Sequence, residues 1–250
     1  MLFYILMKQY EAVIKVMEDN GGFATLGHLY QNVLKIKNCE WKTKTLFASI
    51  RRIVQDDRFF FKIKPGLWAL KSYKDRLPFD VYPRDEINKI EKDKLDHSYY
   101  QGLLVEIGNL RKFETFVPYQ DKNKKYLGKN LSDVTSIKKF YEFSYDYIIK
   151  KAQTIDVSWF NMRKMPVYFF EIEYSTNIQN SLLKFSELQD FNSKFFIIAD
   201  GIRKKEFEGK VSLSAFQEIK ERVKFMDYKS LSEWHSSEYK ILSIRDNFNL

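Results

Sequence analysis

Three carboxylates in the middle of the chain have a spacing that could serve one reaction. Glu171 and Glu173 are two residues apart in the apolar run 166–174, and Asp156 lies fifteen residues before Glu171, near the start of the apolar run 154–160. Successive side chains of a strand alternate between its two faces, so Glu171 and Glu173 project together. Asp156 falls on the face opposite its apolar neighbours. Pairing of the two strands could bring it beside Glu171.

The charge of this group indicates the chemistry it could do. Buried like charges at such spacing repel one another, at a cost of several kcal/mol unless a cation neutralises them. Mg²⁺ binds a few carboxylate oxygens and keeps water on its remaining positions. One such water can lose a proton and attack a phosphodiester while the metal ion stabilises the charge on the phosphate. The spacing therefore predicts Mg²⁺-dependent phosphodiester hydrolysis. The alternative is that acidic residues simply alternate along an exposed strand.

Apolar periodicity around the carboxylates predicts an α/β (α+β) region with the element order αβββαβ. The predicted elements are a helix at 98–110, a strand at 113–117, strands at 154–160 and 166–174, a helix at 177–191 and a strand at 194–199. An insertion at 119–152 follows the first strand and contains a helix near 138–150. Beyond residue 200 the pattern is charged and helical.

Asp156, followed after fifteen residues by Glu171-Ile172-Glu173, resembles the Asp…(Asp/Glu)-x-Lys signature of the PD-(D/E)XK nucleases, whose common core has the order αβββαβ. The resemblance covers about residues 96–200. It implies a restriction-endonuclease-like core with a mixed central sheet, Mg²⁺ as cofactor, and Asp156 and Glu171 as catalytic metal ligands. Glu106 matches the acidic residue that many members carry on the first core helix, as a further ligand. Glu114, on the first strand, is the alternative to it.

Glu173 departs from the family pattern, because it stands where most members have Lys. Some restriction enzymes also have Glu there, and we expect Glu173 to be the catalytic group that activates the water. Lys184 is a candidate for a displaced lysine, but its position opposite the apolar face of its helix predicts that it faces solvent. His97, near the first helix, is expected to be a capping or packing residue.

The first 75 residues predict three helices followed by a hairpin, which is the winged-helix plan. The elements are helices at 10–19, from Thr25 and at 43–56, then strands at 59–63 and 67–70 on either side of Pro65-Gly66.

A change in amino-acid composition separates this segment from the region of the three carboxylates. Between residues 75 and 96 the chain becomes charged and carries two of its five prolines, so we place a linker there. We therefore predict a winged-helix domain at 1–75, a linker at 76–95, and a nuclease domain at 96–250 that includes a C-terminal helical extension.

The third predicted helix has a face rich in basic and amide side chains opposite its apolar stripe, which suits the base edges and phosphates of DNA. Trp41–Thr45, ahead of this helix, and Gly66–Leu70, at the end of the wing, resemble the HARE-type winged helix. We predict DNA contacts at Lys42, Lys44, Thr45, Arg51, Arg52, Gln55 and Lys64. The alternative is that this domain binds proteins or acts as a spacer.

The overall charge favours a polyanionic partner. Lys and Arg number 42 against 33 Asp and Glu, for a net charge of +9. No run approaches the roughly 18 apolar residues of a membrane span, so we expect double-stranded DNA as the partner and not a membrane. Cys39 is the only cysteine, which excludes a disulfide within the chain, disfavours a zinc site and favours a cytoplasmic location.

Together these features predict a Mg²⁺-dependent, site-specific endodeoxyribonuclease: a type II restriction endonuclease or a related defence nuclease. Two alternatives stay open. The chain could be a non-catalytic DNA-binding regulator with a degenerate nuclease-like domain, which the Glu173 departure permits, or a nuclease that requires modified bases read by the winged helix. We expect a homodimer, because cutting both strands needs two active sites or two visits.

Overall fold

The computed structural model describes residues 6–41, 43, 45–83 and 87–248. Residues 247 and 248 are described by their backbone alone. Lys42 and Lys44, two of the predicted DNA contacts, lie outside the described residues. The chain divides into two compact units: Met1–Glu86 with Ser232–Leu250, and Ile87–Leu231. The domains at 1–75 and 96–250 and the linker at 76–95 remain a prediction. The compact units divide between residues 86 and 87, a helix begins at Lys89 within the predicted linker, and the last nineteen residues group with the N-terminal segment.

The first unit begins with helices that alternate with short strands. The elements are α1 (Gln9–Asp19), β1 (Phe23–Thr25), α2 (Leu26–Asn32), α3 (Leu46–Ile53), β2 (Phe60–Lys64) and β3 (Leu67–Leu70). The three strands form an antiparallel sheet in the order β1-β3-β2. Thr25 caps α2, because its Oγ1 accepts a hydrogen bond from the N–H of His28 at 3.1 Å. The predicted hairpin is present between β2 and β3, and Gly66 at its turn has a φ of 78° that favours glycine.

The second unit is built on a five-stranded sheet. Its elements are α4 (Lys89–Leu110), β4 (Glu114–Phe116), β5 (Lys125–Tyr126), β6 (Lys129–Asn130), α5 (Leu131–Val134), α6 (Asp146–Ala152), β7 (Val157–Phe160), β8 (Pro166–Glu173), α7 (Ile178–Ser186), β9 (Lys194–Ala199), α8 (Lys204–Val211) and β10 (Val223–Asp227). A last helix, α9 (Tyr228–Phe248), begins at the end of this unit and continues in the first.

The sheet of the second unit has the strand order β10-β9-β8-β7-β4. Strands β4, β7 and β8 pair antiparallel, whereas β8, β9 and β10 pair parallel. The predicted mixed sheet is therefore confirmed, and α4, β4, β7, β8, α7 and β9 follow the predicted order. The helical pattern expected beyond residue 200 is wrong for Val223–Asp227, because that segment pairs with β9 as an added edge strand.

Both faces of this sheet are covered by helices. On one face the rings of Phe185, from α7, and Phe195, from β9, lie 4.8 Å apart within a buried apolar cluster. On the other face α4 approaches the sheet closely at Gly108. A Cβ on Gly108 would lie 2.5 Å from Cγ2 of Thr115 and 2.7 Å from Nε1 of Trp159. Within the described residues, no helix has the length and apolarity of a membrane span.

Replacing Gly108 by Ala tests this close approach. Because Trp159 and Thr115 are fully buried, the added methyl group must push the helix away from the sheet, and we expect a loss of about 1–3 kcal/mol in the free energy of unfolding. Urea unfolding followed by circular dichroism measures it. Gly209→Ala in α8 is the matched control, since a Cβ there meets nothing within 4 Å. That control should stabilise the protein by roughly 0.5–1 kcal/mol. Equal stability of both variants would contradict the packing described.

Candidate active site

The pairing of β7 with β8 sets the three predicted carboxylates at one end of the sheet. Val157 lies opposite Phe170 in the antiparallel register, and the same register extended by one residue sets Asp156 opposite Glu171. Glu173 shares a face of β8 with Glu171. All three carboxylates line one cavity of about 460 Å³ in the second unit. The structure thus brings together the three residues that the sequence predicts to act jointly.

Asp156 is held by hydrogen bonds to a single carboxylate oxygen. Its Oδ2 accepts from the main-chain N–H of Ile172 at 2.7 Å and lies 3.1 Å from Nε2 of His97. Burial by itself would raise the pKa of Asp156, but the charge of His97 and both hydrogen bonds hold that pKa below its ordinary value. Oδ1 has neither of these two contacts, so it is the oxygen best placed to bind a cation.

Glu171 is almost fully buried, with 3% of its surface exposed. The ammonium of Lys184 lies 2.8 Å and 3.0 Å from its two oxygens, and the hydroxyl of Ser181 donates to Oε2 at 3.1 Å. Burial, and then the negative charge of Asp156, raise the pKa of Glu171 well above its ordinary value, although Lys184 opposes the shift. Burial and the charge of Asp156 thus disfavour the ionised form of Glu171, and the ammonium of Lys184 stabilises it.

Glu173 is buried at the end of β8. The hydroxyl of Ser181 donates to its Oε1 and the hydroxyl of Thr176 to its Oε2. Burial raises the pKa of Glu173 above its ordinary value, and the hydrogen bond from Ser181 opposes that shift. The oxygen of Ser181 also lies 3.1 Å from Oε2 of Glu171, and since a hydroxyl carries one hydrogen it donates to one of the two glutamates at a time.

Two residues of α4, Gln101 and His97, hold Asp156 through a hydrogen-bond network. The amide nitrogen of Gln101 donates to Oδ2 of Asp121 at 2.7 Å and to the carbonyl oxygen of Asp156 at 3.0 Å. The amide oxygen of Gln101 then faces Nδ1 of His97 at 3.2 Å, so both ring nitrogens of His97 carry a proton in this arrangement. Burial lowers the pKa of His97, but the charge of Asp156 and its hydrogen bond raise the pKa above the ordinary value.

The donor chemistry of the cavity suits a hard divalent cation. Carboxylate oxygens are the ligands that Mg²⁺ prefers, and an added positive charge would favour the ionised form of Glu171. Asp156, through Oδ1, and Glu171 are the residues that could hold such a cation. A second set, His97, Asp121 and Asp156, has ligand atoms within 4.8 Å of one another. Both oxygens of Asp121 are engaged, by Gln101 and by Lys124 at 2.6 Å, and both oxygens of Glu171 are engaged by Lys184. A cation at either set would therefore compete with these contacts.

Glu106 and Glu114 lie away from the cavity. Glu106 is nine residues beyond His97 on α4, which is about 14 Å along the helix axis, and it is not among the residues that line the cavity. Glu114 belongs to β4 at the far edge of the sheet, where it hydrogen-bonds Tyr141. The structure therefore does not bring either residue together with Asp156.

Lys184 and His97 are the site residues that sequence reasoning placed wrongly. Lys184 was expected to face solvent, but it lies three residues from Ser181 on the same side of α7, and its long stem carries the ammonium to Glu171. His97 was expected to cap or pack, but it contacts Asp156. The available signal was the four-residue spacing of His97 and Gln101, which places both on one face of α4.

Five of the predicted DNA contacts lie in described parts of the first unit. Arg51 and Arg52, in α3, and Gln55, just after it, are exposed and line a common cleft. Thr45 immediately precedes α3, and Lys64 ends β2 at the hairpin turn. The structure brings the first three together; Thr45 and Lys64 do not line that cleft.

Comparison with known proteins gives a family for most of the chain. A family model described as "Type II restriction enzyme NmeDI C-terminal domain" matches residues 77–248. A curated relative, type II restriction enzyme NmeDI of Neisseria meningitidis serogroup C, is 26% identical over 154 residues, which cover 57% of this chain and 43% of that protein. The chain thus matches less than half the length of this relative. No solved structure matches the chain.

The family match covers the whole second unit, including the three carboxylates, Lys184 and the α4 network. This chain therefore belongs to the family of the type II restriction enzyme NmeDI C-terminal domain.

Proposed function

We propose that this chain is a Mg²⁺-dependent endonuclease that hydrolyses phosphodiester bonds of double-stranded DNA, as a type II restriction endonuclease or a related defence nuclease. The observation that carries the proposal is the meeting of Asp156, Glu171 and Glu173 in one cavity, with an ammonium group against Glu171. Membership of a restriction-enzyme family supports the reaction class. The net charge of +9 supports a polyanionic substrate. We also propose that its nuclease domain is of the PD-(D/E)XK type.

Asp156 and Glu171 are the proposed metal ligands. When bound, Mg²⁺ supplies a hydrated cation that makes water more acidic and balances negative charge on the phosphate. The N–H of Ile172 and the ring of His97 orient the carboxylate of Asp156, and Ser181 orients that of Glu171. Groups of this kind hold metal ligands in position, and their loss commonly costs metal affinity or activity.

Glu173 and Lys184 are suited to two different steps, removal of a proton from water and stabilisation of charge on the phosphate. Burial lowers the pKa of Lys184, but the charge of Glu171 raises it above the ordinary value, so the amine stays protonated and cannot accept a proton. It is suited to balancing charge that grows on the phosphate. The raised pKa of Glu173 makes it a stronger proton acceptor. We assign proton removal from water to Glu173 and charge stabilisation to Lys184.

The first unit is proposed to bind DNA as a winged helix of the HARE type. Support comes from its helices and three-stranded antiparallel sheet and from the exposed Arg51, Arg52 and Gln55 on or just after α3. Long basic and amide side chains on such a helix reach base edges and phosphates in the major groove. A homodimer remains part of the proposal, because cutting both strands needs two active sites or two visits.

Isosteric replacement of the metal ligands tests the proposed reaction. We expect Asp156→Asn and Glu171→Gln to abolish Mg²⁺-dependent cleavage of mixed plasmid DNA, because each change removes a negative ligand oxygen. Chelation by EDTA should abolish cleavage by the wild type. Glu187→Gln, at an exposed position just after α7, is the matched control and should cut like the wild type. Plasmid nicking that persists in both ligand variants would contradict the assignment. No cleavage by the wild type on methylated or unmethylated DNA would favour the regulator alternative.

Separate replacement of Glu173 and Lys184 tests how they divide the chemistry. We expect Glu173→Gln to slow cleavage by about 10²–10⁴-fold and Lys184→Met by about 10²–10³-fold. Cleavage by the Glu173→Gln variant should recover as the pH rises, since hydroxide needs no proton acceptor, whereas the Lys184→Met variant should not recover. Lys194→Met, at the opposite end of β9 from the site, is the control. Recovery of the Lys184 variant alone would reverse the two roles.

A further inference from the structure

A second cleft, in the first unit, takes no part in the chemistry at the carboxylates. Its volume is about 360 Å³, and it lies between the α3 segment and α9. Its polar lining includes Arg51, Arg52 and Gln55 on the α3 side and Ser236, Ser237 and Lys240 on the α9 side, and Tyr30 of α2 also lines it.

The cleft concentrates positive charge. Arg51, Arg52 and Lys240 all line it, and none of the described residues that line it is acidic. Neither arginine forms an ion pair with any residue in the described part of the chain. Three cations held around one cleft repel one another, and an anion seated between them would remove that repulsion.

Helix α9 is anchored in the first unit, so the position of Lys240 is defined. The hydroxyl of Ser243 donates to the carbonyl oxygen of Tyr30 at 3.1 Å. A Cβ on Gly27, in α2, would lie 2.4 Å from the ring of Tyr239, so the two helices pack in close contact there. The ammonium of Lys240 lies 5.4 Å from the centroid of the Phe47 ring in α3, a cation–π distance.

The hydrogen-bond donors that line the cleft suit the oxygens of a phosphate group. The hydroxyls of Ser236 and Ser237 donate to carbonyl oxygens within α9, at 2.7 Å and 2.8 Å, so the donors to a ligand are the cationic groups and Gln55. Planar guanidinium groups match two phosphate oxygens at once, and a lysine adds a point charge.

We infer that this cleft binds a backbone phosphate of double-stranded DNA, and that Lys240 of α9 is a DNA contact in addition to those predicted on α3. The inference rests on the proposed DNA function and deepens it. Contacts to phosphates fix the register of a protein on the duplex and carry no sequence information themselves. Lys240 therefore strengthens binding to all sequences alike.

The test is the salt dependence of duplex binding by the full chain. Fluorescence anisotropy with a labelled duplex of mixed sequence, in Ca²⁺ to prevent turnover, gives the binding constant between 50 and 200 mM salt. We expect Lys240→Gln to weaken binding and to reduce the slope of log K against log[salt] by about 1, the loss of one phosphate contact. Lys71→Gln, exposed just after β3 and outside the cleft, is the control and should match the wild type. Arg51→Gln should act like Lys240→Gln.

The results distinguish failure of this inference from failure of the proposed function. A wild type that binds and cuts DNA, with an unchanged slope in Lys240→Gln, overturns this inference and leaves the proposed function intact. A wild type that neither binds nor cuts DNA overturns both. Polyglutamate serves as the competing polyanion: if Lys240→Gln loses binding to polyglutamate while duplex binding is unchanged, the cleft binds an acidic protein segment and not DNA.

Discussion

The buried contact between Glu171 and Lys184 is the interaction on which the site depends. A carboxylate with 3% exposure beside a second carboxylate, Asp156, would be strongly unfavourable if both were charged and unpaired. The ammonium of Lys184, 2.8 Å away, makes the charge on Glu171 tolerable without balancing the whole group. We propose that a divalent cation completes the balance of charge among these carboxylates.

The arrangement of these carboxylates requires four elements, β7, β8, α7 and α4, in fixed positions. A shift of one residue between β7 and β8 would turn Asp156 to the wrong face and leave Glu171 without its neighbour. Helix α7 must carry both Ser181 and Lys184 over the end of β8, and α4 must present His97 to Asp156. Close packing of Gly108 against Trp159 fixes how near α4 can come. The packing that stabilises the second unit thus also sets the positions of its carboxylates.

Local patterns predicted much of this arrangement from the sequence. Alternation along β8 paired Glu171 with Glu173, and apolar periodicity placed the strands and α7 near their observed bounds. Residues whose role depends on distant parts of the chain were missed. Lys184 joins the site because its long side chain bends toward a strand thirteen residues earlier, and His97 reaches a residue 59 positions away. The strand at Val223–Asp227 was read as helix, since only pairing with β9 makes it a strand.

Whether these carboxylates bind one divalent cation is measured most directly by Mn²⁺ binding, followed by electron paramagnetic resonance. Mn²⁺ replaces Mg²⁺ as an ion with the same preference for oxygen ligands, and the signal of the free ion falls as protein binds it. We expect the wild type to bind one Mn²⁺ per chain, Asp156→Asn to lose this binding and Glu187→Gln to retain it. Equal binding by all three proteins, or none by the wild type, would contradict this expectation.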